Sequence, residues 1–184
     1  MGNLMKTLRR FLRRAAGDES GSSTIPFAIM MPFFLLLVMS SLEMGTVMVR
    51  HVMLERALDL TVRDLRLGLW VPHNSNELKS KICNNAGILP NCGRNLLVEL
   101  RTVSKATWQP LSSGPVCVDR AATVQPVTTF LTGTSNDMML IRACVKFDPI
   151  FATSGLGFQL PKDNTGAYAL VSSTAFVNEP RPGS

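Results

Sequence analysis

The order of hydrophobic and polar positions divides the chain into two unlike parts. From Gly21 to Leu42 (GSSTIPFAIMMPFFLLLVMSSL) no residue is charged. An uncharged run of about 22 residues makes a helix of roughly 33 Å, enough to cross a hydrocarbon core of about 30 Å. Beyond Glu43 the pattern becomes one-sided. Val47, Leu54, Leu58, Val62, Leu65 and Leu69 recur at helical spacing, and Asp59 and Arg63 add an i,i+4 ion pair. Pro72 and the polar HNSN stretch end the helix near Leu69–Trp70. The expectation is one rod of about 45 residues, roughly 65 Å long, apolar all round in its first half and striped in its second. Ser22, Ser23 and Thr24 offer N-caps, and Pro26 falls where a missing N–H costs little. Pro32 lies deeper and predicts a kink or a lost hydrogen bond.

After the rod the period shortens. Residues 76–87 (NELKSKICNNAG) read as a short helix and GILPNCGRN as a loop. The segments 96–104, 138–147 and 167–177 are apolar or alternating runs bounded by Gly, Pro, Asn or Asp, and they read as strands. Residues 116–127 add an edge strand that Pro126 limits. Long connections between short strands favour an antiparallel sheet over βαβ units. The predicted fold class is α+β: a long N-terminal transmembrane and amphipathic helix, then a small antiparallel β-sheet domain with disulfides. The organisation expected is a basic leader over 1–21, a transmembrane helix over 22–49, an amphipathic extension over 50–70 and an outer domain over 71–184.

Charge gives the rod a direction. The net charge is +6, and Lys6, Arg9, Arg10, Arg13 and Arg14 precede the uncharged run. The positive-inside rule puts this head in the cytoplasm and the remainder across the membrane. The run is longer than a signal h-region of roughly 7–15 residues, and no A-x-A-like site follows it, so a retained helix is expected. The remaining basic residues alternate with acidic ones and the chain has 1 Tyr, which argues against a nucleic-acid surface.

Cys83, Cys92, Cys117 and Cys144 all fall in the outer part. An even count on the oxidising side reads as two disulfides, with three pairings open. The favoured set is Cys83–Cys92, which staples the helix–loop corner, and Cys117–Cys144, which ties the middle segment to a strand. No C-x₂-C spacing accompanies them, so a metal site is not expected, and no cofactor is implied. His51 on the helix reads as an interfacial or packing residue, and His73 as a solvated loop residue. No G-x-S-x-G, H-E-x-x-H or P-loop pattern is present, and TSGLGF (153–158) reads as a loop. Catalysis is not expected.

The apolar segment also carries a frame of specific residues. Gly21 follows the RRFLRR head, and Phe27-Ala28 come next. Pro32 then heads the run Phe33 to Val38, and Glu43-Met44-Gly45 closes it. Over roughly residues 9–70 this resembles the TadE/TadG-like minor pseudopilins of the tight-adherence (Flp) pilus system. Met44 stands for the family's Phe in Glu-Phe-Gly. The resemblance implies a structural pilin-type subunit at the bacterial inner membrane, with its C-terminal domain in the periplasm and possible incorporation into an extracellular pilus. It implies other pilin or pseudopilin subunits and the inner-membrane assembly platform as partners, with prepilin peptidase cutting between Gly21 and Ser22. Pro26 stands where the family places a glutamate, and proline cannot supply that carboxylate. A membrane-anchored periplasmic binding or accessory module outside any pilus is the other reading.

Glu43 is then the residue to explain. A carboxylate near the end of an apolar run is costly unless it has a partner. The sequence points to a basic group on another subunit, with Arg50 two turns further along roughly the same face.

Overall fold

The computed structural model describes residues 23–105, 114–153 and 155–180. The basic head and the Gly21–Ser22 pair lie outside the described residues. The chain is α+β. A 43-residue helix, α1 (Thr24–Arg66), leads into a small three-stranded antiparallel sheet with two disulfides. By length and composition α1 can serve as a membrane anchor or as a signal sequence, and its most apolar stretch is unburied. The helix runs unbroken through Pro32.

α1 stops one turn earlier than its stripe suggests. Gly68 takes φ 65°. Its N–H donates to Leu65 O, while Leu69 N–H donates to Asp64 O, closing a Schellman motif. Leu69 therefore falls beyond the helix and is exposed, whereas Leu54, Leu58 and Leu65 are buried. Val47 and Val62 are half-buried against the same core.

The next helix, α2 (Ser75–Ala86), has a reciprocal cap. The Asn74 side chain accepts from Glu77 N–H (2.9 Å), and the Glu77 carboxylate accepts from His73 N–H (2.9 Å) and Trp70 Nε1–H (3.1 Å). The His73 N–H bond, then the other bonds from His73 and Trp70, hold the Glu77 carboxyl below its ordinary value. α2 buries Leu78, Ile82 and Ala86. Its Asn85 amide donates to Thr61 Oγ1 (3.1 Å), and Lys81 pairs with Asp64 (3.0 Å), so polar links lock α2 to α1. Cys83–Cys92 joins α2 to the single-turn helix α3 (Cys92–Asn95).

The strands are β1 (Leu96–Thr102), β2 (Met138–Phe147) and β3 (Tyr168–Val177), with β2 in the centre. Leu96 faces Val145 across the β1–β2 pair, and Phe147 faces Tyr168 across the β2–β3 pair. This register places Leu96, Val98 and Leu100 beside Met139, Ile141, Ala143 and Val145, in one core with Leu54 and Leu58 of α1. The opposite face is not apolar throughout. Glu99 and Arg142 are directly opposed on it and both are buried. The Cys117–Cys144 bond covers this face with the middle segment.

That middle segment corrects one expectation: residues 116–127 form no strand. Asp119 and Gln125 close a compact turn instead. Asp119 N–H donates to Gln125 Oε1, and the Gln125 amide returns a bond to Asp119 O. The strand-like pairing beside β1 comes later, as a single parallel bridge between Leu100 and Phe130. Of the valines in VCVDRAATVQPV only Val118, beside the disulfide at Cys117, is buried; Val124 and Val127 are exposed.

Candidate functional site

The junction between α1 and the loop after β2 holds the residues of greatest interest. Glu43 is fully buried. Its Oε2 accepts from Ile150 N–H and Phe151 N–H, both at 2.9 Å, and its Oε1 accepts from Ile150 N–H at 3.2 Å. The partner that the sequence placed on another subunit is thus a pair of backbone amides in the same chain. The physical reason is local: the turn after β2 presents two successive N–H groups without a ladder, and a carboxylate is a strong acceptor for both. Arg50 lies two turns along and is also engaged internally. It donates to Tyr168 Oη (2.7 Å) and Asp148 O (3.2 Å), with its guanidinium 4.9 Å from the Phe147 ring centre. Burial pushes the Tyr168 hydroxyl upward, and Arg50 partly offsets this.

One turn before Glu43 the same loop touches α1 again. Ser40 Oγ accepts from Leu156 N–H at 3.3 Å. Here TSGLGF is not all loop, because Gly155–Gln159 forms the short helix α4. Its glycines permit the approach: a Cβ on Gly155 would lie 2.5 Å from Ser40 Oγ, and one on Gly157 would lie 2.3 Å from Phe151 O. Further along, Asp163 anchors the entry to β3. It accepts from Thr165 and Ala167 N–H groups and pairs with Lys146. Burial raises its carboxyl, but Lys146 and the Thr165 and Ala167 bonds outweigh that, so it lies well below the ordinary carboxylate range. A carboxyl depressed on folding adds stability above its unfolded value of roughly 3.9, lost only as pH falls through the folded value.

The side of α1 that faces away from the sheet is the second notable feature. Leu42, Met48 and Val52 are 56%, 53% and 55% exposed, and Met44 and Val49 are exposed as well. Gly45 sits among them, with no heavy atom within 4 Å of where a Cβ would be. A groove of about 460 Å³ opens here, lined by Leu42, Gly45, Val49, Ile88 and Pro90 among others. Past Val52 this outer face turns polar, with Glu55, Arg56, Asp59 and Arg63. Between Leu42 and Val52, therefore, the apolar side of α1 is the uncovered one, while Glu43, Thr46, Arg50 and His51 lie on the side packed against this chain. Ile88 and Pro90 border this outer side without covering it.

No protein-family model, curated protein or solved structure matches the chain. The site must be read from its own chemistry. Cys83–Cys92 and Cys117–Cys144 have Cα–Cα distances of 5.7 and 5.2 Å. Among the described residues no group of three or more His, Cys, Asp or Glu converges as a metal cage. His51 pairs with Glu55 and His73 with Glu77, each within one helical turn or cap. A larger groove of about 800 Å³ lies between the end of α1 and β3, where Arg66 pairs with Glu179 at its rim. Sequence reasoning missed Ser40, Tyr168 and the 148–160 loop. The serine had no distinguishing signal, and the loop offered only its excess of Gly and apolar residues.

Proposed function

We propose that this protein is a structural subunit, a TadE/TadG-like minor pseudopilin contributing to assembly of a tight-adherence pilus at the bacterial inner membrane. One observation carries the reading: the outer apolar face of α1 continues to Val52. From Thr24 to Val52 a helix extends about 43 Å, while the hydrocarbon core takes up about 30 Å. A lone anchor has no need of apolar surface beyond the lipid, and surface of this kind on a soluble segment marks an interaction site. The groove over Gly45 is continuous with the span and suits close approach of a second apolar helix. The occupant proposed is the apolar helix of another pilin-type subunit. In this arrangement the basic head lies in the cytoplasm and the disulfide-bonded part in the periplasm. The work done is packing, with no catalytic step.

Gly45 separates assembly from folding. Its Cβ position is open, so Gly45→Phe is expected to keep both disulfides and a normal level in the membrane. The same variant fills the groove, and piliation should fall by about tenfold or more, the effect of roughly 1.4 kcal/mol lost at a helix–helix contact. Gly45→Ala should retain pili, with α1 up to about 1 kcal/mol more stable. Counting pili by electron microscopy beside immunoblots of the membrane fraction checks both. Wild-type piliation in Gly45→Phe would overturn the proposal.

A further inference from the structure

The loop after β2 has properties that fastening to α1 does not require. Phe158 and Ile150 are 69% and 52% exposed, although both belong to the segment held against the helix. Its position along α1 is fixed by contact: Ile150 and Phe151 bond to Glu43, Leu156 bonds to Ser40, and Gly155 lies so close that an added Cβ would meet the Ser40 hydroxyl. Counting from Thr24, a core of about 30 Å is used up after about 20 residues, near Glu43. The exposed aromatic and aliphatic side chains therefore stand at the level where the span would leave the lipid.

The backbone of the loop is also provided for in a way that suits a water-poor boundary. Glu43 takes the N–H groups of Ile150 and Phe151, and Ser40 takes that of Leu156. Lys162 Nζ donates to Ala152 O (3.0 Å) and Gly157 O (2.8 Å). Side chains thus satisfy amides and carbonyls that have no ladder, which irregular backbone near lipid requires. Lys162 also lies 5.7 Å from the centre of the Phe158 ring. An aromatic ring beside a lysine is the combination that settles at a bilayer interface, with the ring among acyl chains and the ammonium among headgroups.

We infer that residues 149–153 and 155–160 form a membrane seat: Phe158 and Ile150 enter the outer headgroup–acyl boundary and hold the sheet domain at a fixed height over the bilayer. This rests on the reading of α1 as a membrane span. The surface is continuous with that span, and its occupant is lipid.

The test replaces single residues of the full chain by p-benzoylphenylalanine and reconstitutes each variant in vesicles of phosphatidylethanolamine and phosphatidylglycerol. After irradiation, intact mass reports the adduct. Position Phe33, in the middle of the apolar run, reports the span; Leu69, exposed beyond the far end of α1, reports background. A gain of one phospholipid mass at Phe33 and Phe158, without one at Leu69, is the expected result. Lipid at Phe33 but none at Phe158 overturns the seat and leaves the span standing. Lipid at Phe158 no more often than at Leu69, or an adduct at Phe158 only to a second copy of the chain, also overturns the seat. No lipid at Phe33 overturns the span and the seat with it.

Discussion

Glu43→Ala is expected to lower the stability of the folded chain by about 3 kcal/mol, because it orphans two amides that now bond to a charged acceptor. The amides are those of Ile150 and Phe151, and no other described acceptor replaces the carboxylate. Glu43→Gln can keep a carbonyl oxygen at the Oε2 position, where both donors reach it, but it loses the charge and turns an amide NH₂ toward Ile150 N–H, so it should cost roughly half as much. The loss should be felt first at the junction. Amide hydrogen exchange at Ile150 and Phe151 should speed up in both variants, while that in β2 changes little. Exchange measured on detergent-solubilised full chain, with a denaturant midpoint alongside, provides the check. Unaltered exchange at both amides would show that Glu43 does not hold this loop.

The second large effect is expected at the face of the sheet away from α1. Arg142 Nε and Nη2 both donate to Glu99 Oε2, at 2.9 and 2.5 Å, between opposed positions of β1 and β2. Arg142→Met leaves a buried carboxylate whose remaining ion-pair partner is Arg101 at 3.7 Å. Breaking a buried pair from one side costs roughly 3–5 kcal/mol, and Arg101 should keep the value near the lower end. The double variant Glu99→Leu/Arg142→Met removes both charges. It should recover most of that loss, since an apolar replacement of a buried pair is often neutral or better. Denaturant midpoints for the two single variants and the double variant, measured with both disulfides intact, form the cycle. A double variant as unstable as the sum of the singles would contradict the pairing.

What the sequence revealed followed the range of the interactions. The long helix, the strand at 138–147 and the helix near 76–87 depend on local periodicity, and they were legible. The end of α1 was readable too, because Gly68 stands one residue before Leu69, but the apolar stripe drew attention past it. Residues 116–127 misled because their valines read as strand formers, whereas only Val118 is buried and Val124 and Val127 are exposed in a segment held by a disulfide. Glu43 was recognisable as a residue in need of a partner. Its partner was not, because two backbone amides more than a hundred positions away have no side-chain signature. The Glu99–Arg142 pair was legible in principle: opposite charges inside two apolar strands call for each other once the register is known. The outer stripe from Leu42 to Val52 was hidden for a different reason. The covered side carries Glu43, Thr46, Arg50 and His51, the reverse of the usual pattern, and only the packed structure shows that the apolar side is the one left open.

The central claim is that this uncovered stripe belongs to a second helix. The most direct measurement places p-benzoylphenylalanine at Val49, beside the Gly45 groove, in cells that make the pilus. Irradiation followed by peptide mapping identifies what lies against it. The account predicts an adduct to the apolar N-terminal helix of another pilin-type subunit. An adduct to phospholipid alone, in cells with normal pili, would contradict it and leave α1 a simple anchor.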